Sequence, residues 1–292
     1  MEVFVSFGDM ITETLGIKAE TKKSEIGKYF SDIEKSMQTT KVKLNEILEK
    51  NGNYEKVKTV VEQFISGTID KIEAGAKEAA LGASGSGVIG NAVQNQDAAP
   101  GETASVNALV KGIKEIVEVV LKDKGKADAN KTIDDDKKDI GKLFSKAADN
   151  GSESEAAKAN ASIGAVSGAD ILQAIASSGK AESNKDIDKA ENVAEIATAK
   201  NDSGTKETKK QDAVIAGGIA LRGMAKDGKF AAKNGEEKAV NAVNGAVASA
   251  VNKVLSTLTI AIRNRADLGL KEINKVLGKI KQGEGSVAKV NE

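Results

Sequence analysis

The sequence predicts an all-α protein: a bundle of long and short helices around one buried central helix, with extended polar loops. Three observations carry this expectation. Apolar residues recur at helical spacing in segment after segment, and convincing period-two alternation is absent. The chain has one proline in 292 residues and abundant Ala, Lys and Glu, which favour helix. Residues 211–230, QDAVIAGGIALRGMAKDGKF, are apolar nearly all round within an otherwise polar chain.

Read as a helix over 211–227, this last stretch puts Val214, Gly217, Gly218, Leu221 and Met224 on one face, with Ile215 and Ile219 beside it. A helix that is apolar on more than one face is wrapped by other helices. Its two interior glycines each cost about 1 kcal/mol relative to alanine, which close approach of a neighbouring backbone offsets. Gly228 is the expected left-handed stop, with Lys226 and Lys229 favourable at the negative end.

The other elements follow in order. Val3, Phe7, Met10, Ile11 and Leu15 fit a first helix ended by Gly16. Ile26, Phe30, Ile33, Met37, Leu44 and Leu48 form a second, closed by the turn Asn51-Gly52-Asn53. Tyr54, Val57, Val61, Phe64, Ile65, Ile69 and Ile72 run on into Ala79 and Ala80 as a third, packed antiparallel to the second. Residues 82–103, rich in Gly, Ser, Asn and Gln, read as a surface loop. Val106 to Leu121 restores a strong helix, 122–138 is a charged loop, and Ile140, Leu143 and Phe144 mark a shorter helix.

Ser152 with Glu155, Ser167 with Asp170, and Asn234 with Glu237 offer helix N-terminal capping arrangements. Polar loops are expected near 178–187 and 200–209. From Glu236 to Gln282 one long helix spans on the order of 70 Å, with a kink or break where the apolar register slips at Asn264–Gly269. The whole chain, 1–292, reads as a single helical domain.

Composition bounds the function. With 43 basic and 43 acidic residues the net charge is zero, which argues against a general nucleic-acid binder. With 3% aromatic residues and no Trp, a base-stacking platform is not expected. There is no Cys and no His, which removes thiol catalysis, Ser-His-Asp triads and ordinary zinc sites. No run approaches the roughly 20 consecutive apolar residues of a membrane-spanning helix. Met1-Glu2-Val3-Phe4 has neither a basic nor an apolar leader region, so the chain reads as cytoplasmic or as a mature segment with an added start methionine.

Several motifs imitate chemistry. Gly85-Ser86-Gly87-Val88-Ile89-Gly90 matches a dinucleotide fingerprint, but a helix rather than a strand precedes it. Gly223 to Lys229 matches part of a phosphate loop, but Phe230 stands where the magnesium-binding hydroxyl belongs, and a helix C-terminus repels phosphate. Asp134, Asp135, Asp136 and Asp139 lack the spacing of a calcium loop. Lys41, Lys43 and Lys50, and likewise Lys122, Lys124 and Lys126, are too few or too interleaved with acids to specify an anionic partner. No catalytic, cofactor-binding or metal-binding residue is assigned, and no enzyme is expected.

Residues 219–230, IALRGMAKDGKF, resemble the hallmark segment of the variable large proteins of Borrelia, the VlsE-like family. KGIKEIV (111–117), GKLFSKA (141–147) and AVSGADILQAI (165–175) resemble three further family segments in the same order. Ser6-Phe7-Gly8 and the block from Lys23-Ser24 to Tyr29-Phe30 are also similar. Relapsing-fever large proteins are a closer match than VlsE, because the 82–103 and 122–138 loops do not resemble VlsE's; family members carry their loops at one end. The resemblance implies an elongated helical surface lipoprotein, lipidated at an N-terminal Cys outside this chain and held on the outer membrane. It implies antigenic variation through changeable loops, with host antibodies as partners. A host-ligand adhesin or complement inhibitor, with host matrix or complement proteins as partners, is the alternative, a cytoplasmic helical scaffold or an enzyme is a weaker third, and a homodimer is allowed. The loops at 82–103, 122–138, 178–187, 200–209 and 228–235 are then the expected variable surface, and substitutions in 122–130 are expected to leave the melting temperature unchanged.

Overall fold

The structure, a computed structural model, describes residues 16–183, 185–200, 207, 208 and 210–287. The helix expected from Val3 to Leu15, the Ser6-Phe7-Gly8 segment and most of the 200–209 loop lie outside the described residues.

Helix α1 (Lys23–Asn51) buries Ile26, Phe30, Ile33, Met37, Thr40, Leu44 and Ile47, three or four residues apart, as its periodicity requires. Helix α2 (Glu55–Phe64) continues through a π-helical turn (Ile65–Ile69) into α3 (Asp70–Gly82). The third predicted helix is thus one rod with an inserted wide turn. Gly27 lies against Ala83, and Lys41 pairs with Asp70 at 2.7 Å, so α1 and α3 run antiparallel as expected.

Helix α4 (Thr103–Val120) packs antiparallel on α3 at very short range. A methyl group on Gly75 would lie 2.6 Å from the Gly112 carbonyl, and one on Gly112 would lie 2.4 Å from the Ala79 nitrogen. These two glycines, one on each helix, let the backbones meet where any side chain would part them.

The short elements follow: α5 (Asp134–Lys137), a 3-10 turn (Lys138–Phe144), α6 (Glu153–Ala165), α7 (Gly168–Ala176), a second 3-10 turn (Ile187–Lys189) and α8 (Val193–Ala197). The helix expected around Ile140 is therefore mostly 3-10. Both serine capping boxes form: Ser152 Oγ accepts from the Glu155 amide and Ser167 Oγ from the Asp170 amide, while each acid returns to the serine backbone. The Asn234 cap does not form. The last helix starts at Glu237, and Asn234 instead accepts a hydrogen bond from the Asn95 amide at 2.6 Å.

Helix α9 (Asp212–Met224) lies in contact with α6, α7, α8 and α10 (Glu237–Val287), and more lightly with α1 and α4. It ends at Met224, three residues short of the expected end. Asp227, not Gly228, takes the left-handed conformation, at φ 63°.

Helix α10 runs 51 residues without a break, on the order of 75 Å at 1.5 Å per residue. The register slip has a packing cause. A Gly269 methyl would fall 2.1 Å from the Phe64 ring, so the helix presents a small residue where that ring packs. Part of α10 is apolar and long enough to cross a membrane. Its Val243, Val247, Val251, Val254, Leu258 and Ile262 are buried in the protein, as in a core helix.

One contiguous apolar cluster extends from Ile26 to Ile273. Among the described residues there are isolated β-bridges but no strands.

Candidate functional site

Every residue of α9 except the half-buried Val214 is buried, including both glycines, Leu221 and Met224. The glycines face α8. A methyl on Gly218 would stand 2.3 Å from Ile196 Cγ2, and one on Gly217 3.0 Å from Val193 Cγ1. On another side, Gly223 admits Val247 of α10.

The two ends of this apolar rod carry buried charges of the sign that suits each end of a helix. At the N-terminus, Asp212 is fully buried. Its Oδ2 accepts from the Lys131 and Thr132 amides at 2.6 and 2.8 Å, and its Oδ1 from the Thr132 and Ser162 hydroxyls at 2.5 and 2.7 Å. Burial pushes its pKa up, but these donors together outweigh burial and hold it below the ordinary value.

At the C-terminus, Arg222 is fully buried. Its Nε donates to the Lys229 carbonyl and its Nη1 to the Ala199 carbonyl, at 2.9 and 2.7 Å. Its guanidinium carbon lies 5.0 Å from the Phe144 ring centre and 5.7 Å from that of Phe230. Burial pushes it down to about 9. Beside it, Lys23 of α1 donates to the carbonyls of Arg222, Ala225 and Gly228 at 3.3, 2.5 and 2.9 Å. Burial, with the Arg222 charge adding to it and Asp227 opposing, pushes Lys23 down to about 7.

Lysine does close the negative end of this helix, but from across the chain. Lys226 instead pairs with Glu102, and Lys229 reaches Gln96. Arg222 was the legible hint: a lone cation inside an apolar stretch must find acceptors when the stretch is buried. Nothing local in the sequence marked Lys23 as its neighbour.

The motifs singled out above fall in structural places. Gly87 to Gly90 clasps the segment before α1: the Lys23 amide donates to the Gly87 carbonyl, Ile89 to Thr21 and Gly90 to Ala19. The segment from Gly223 to Gly228 lies where α9 ends, and the Gly228 carbonyl accepts from both Lys23 and Asn91. Asp134, Asp135 and Asp139 pair with Lys137, Lys138 and Lys142, and Asp139 also pairs with Lys158. Among the described residues no cluster of acids has the arrangement of a metal site. Lys122 and Lys124 lend their carbonyls to Gln173 of α7.

Two of the expected variable loops are not free surface. In 82–103, Ile89, Ala92 and Ala98 are buried, and in 228–235 so are Phe230, Ala231 and Ala232. The two segments bond to each other and to the 142–151 region through Ala99–Lys229, Ala98–Ser145, Ala231–Leu143 and Lys233–Gly151. Their polar composition supplied backbone and small side chains to a packed layer. Exposed residues outside the long helices include 122–126, 133–136 and 179–183, apart from buried Ala181, and also 85–87 and 95–97. Even 122–132 is pinned from beneath, by Asp170 on the Lys126 amide and by Asp212.

An all-helical envelope around one enclosed helix, with polar connections outside, defines a scaffold class. Residues 1–277 match the Borrelia lipoprotein family, and the chain belongs to it. It is 58% identical to variable large protein 17 of Borrelia hermsii, covering all of this chain and 84% of that one. It is 57% identical to variable large protein 4 of the same organism, with 100% and 85% covered. The crystal structure of the variable surface antigen VlsE of Borrelia burgdorferi superposes with a TM-score of 0.82 at 37% identity, covering 94% and 93% of the two chains. The lower identity to VlsE agrees with the loop comparison. The names these matches carry are those of a lipoprotein family, of variable large proteins and of a variable surface antigen.

Proposed function

We propose that the protein is an antigenically variable lipoprotein, held on the outer membrane by an N-terminal lipid, which evades host antibodies without any catalysis. Exposed loop side chains change, while the helices that enclose α9 keep the fold. The observation that carries this reading is the burial of the family's hallmark segment. Within IALRGMAKDGKF only Lys226 and Asp227 are exposed. Substitutions at exposed positions usually move stability by no more than about 0.5 kcal/mol, so the outer surface is free to drift over a constant interior.

The test is a chimera. Exposed side chains in 122–128, 133, 135–136 and 179–183, Gly125 and Ala181 excepted, are replaced by those of a related variable large protein. Sera raised against the parent are expected to lose most binding while helicity and melting temperature hold. Undiminished binding to the folded chimera would overturn the reading.

A further inference from the structure

The sequence contains four Asn-Gly steps: Asn51-Gly52, Asn150-Gly151, Asn234-Gly235 and Asn244-Gly245. An Asn-Gly step is where a backbone amide most readily attacks the preceding side-chain carbonyl, because glycine offers no steric hindrance and the most backbone freedom. Folding decides which of the four can do so.

Three are held. Asn244 lies within α10, and its side-chain amide both accepts from the Ala92 nitrogen at 2.8 Å and donates to the Ala92 carbonyl at 3.1 Å. Asn150 is 4% exposed and donates to the Lys146 carbonyl, while the Gly151 amide that would attack is bound to Glu155 at 2.7 Å. Asn51 is the last residue of α1, donating to the Ile47 carbonyl, and Gly52 keeps right-handed helical angles. Helical backbone turns the next amide away from the side-chain carbon.

Asn234-Gly235 differs in its backbone and its exposure, although its side-chain oxygen, like that of Asn244, accepts from a backbone amide. It lies in the turn before α10, outside any helix. Gly235 is exposed at φ 72°, and an added methyl there would meet nothing within 4 Å. Its amide has no hydrogen-bond acceptor among the described residues. The Asn234 carbonyl oxygen accepts from the Asn95 amide at 2.6 Å. That donor draws electron density from the carbonyl and stabilises the negative charge that builds on oxygen during attack, as an oxyanion-hole donor does.

We infer that Asn234 is a site of spontaneous deamidation in the folded protein, with water as the only co-reactant. The Gly235 nitrogen bonds to Asn234 Cγ, its proton passes through solvent to the side-chain amide, and the Cγ–N bond breaks to release ammonia. The resulting five-membered imide is opened by water at either carbonyl, giving aspartate or isoaspartate. Both products add one negative charge beside Glu236, which already pairs with Lys233 at 3.7 Å. The aspartate keeps the Asn95 contact. The isoaspartate lengthens the main chain by one carbon and breaks it, freeing the 93–97 turn that Asn234 holds. This inference stands apart from the antigen reading.

The test is to incubate the folded chain at body temperature in mildly alkaline buffer, then digest it and map peptides by mass. A gain of about one dalton is expected on the Asn234 peptide, at least about tenfold faster than on those holding Asn150 or Asn244. In concentrated urea the four steps should react at similar rates, which shows that the fold sets the difference. Asn234→Ser, checked for unchanged helicity, should abolish the fast signal. An Asn234 rate in the folded chain no greater than those of Asn150 and Asn244, or a faster reaction at Asn51, would overturn the inference.

Discussion

Lys23, Asp212 and Arg222 are buried charges at the two ends of α9, whereas buried Lys137, Glu155 and Glu195 each have an ion-pair partner. Each of the first three rests on hydrogen bonds rather than on a carboxylate–cation pair. Asp212→Asn would set an amide N–H against one of the donors that Asp212 satisfies. It should destabilise by about 2–4 kcal/mol in urea unfolding at neutral pH. Because Asp212 is held below its ordinary pKa, its contribution is complete above the unfolded value and disappears as pH falls through the folded one. The variant should therefore differ least from the parent in acid.

Lys23 is also held below its ordinary value, but by burial, so its charged form opposes folding. The folded group titrates near 7 and the unfolded one near 10.5. Below that window burial of the ammonium opposes folding in full, and stability rises with pH between the two values. Lys23→Met should flatten that rise, read as melting temperature against pH, while lowering stability through three carbonyls left without a donor. Leu221, fully buried, offers no such compensation: Leu221→Asp should unfold the chain, and a soluble, fully helical variant would refute its burial.

At the scale of elements, small residues decide which helices can touch. Gly112→Ala gains about 1 kcal/mol of helix propensity, yet its methyl would fall 2.4 Å from the Ala79 nitrogen and the Gly75 carbonyl. Overpacking against backbone costs about 1–3 kcal/mol, so a net loss of stability is expected. Gly245, exposed on α10 with nothing within 4 Å of an added methyl, is the control: Gly245→Ala should stabilise by about 0.5–1 kcal/mol. The same reasoning corrects the expectation for 122–130. Exposed Lys124 and Asp128 should tolerate change, but Gly125 sits at φ 93° with an added methyl 2.5 Å from the Ala169 backbone, so Gly125→Ala should lower the melting temperature.

Across the whole molecule, the constant part lies inside and the changeable part outside. Antibodies raised to a peptide of residues 212–224 should bind the denatured chain and ignore the folded one, as a native-against-denatured immunoassay would report. The long helices and both serine caps were legible because their signals are local: apolar spacing along Ile26 to Leu44, or a hydroxyl three residues before an acid. Burial of α9 was legible too, since a rod apolar on every side has no other place to go. What escaped were the π-helical turn, the small α8, and the packed state of 82–103 and 228–235. Their residues are polar or small, and only distant partners such as Lys229, Ser145 and Leu143 turn them into a layer.

The sequence by itself determined that helices form, roughly where they lie, and that one of them is enclosed, because those depend on spacing within a few turns. Tertiary structure alone decided that Lys23 caps a helix some 200 residues away, that Asp212 anchors the 131–132 backbone, and that Phe64 fills the space left by Gly269. Such contacts join residues remote in the chain, and their geometry exists only once the helices have packed.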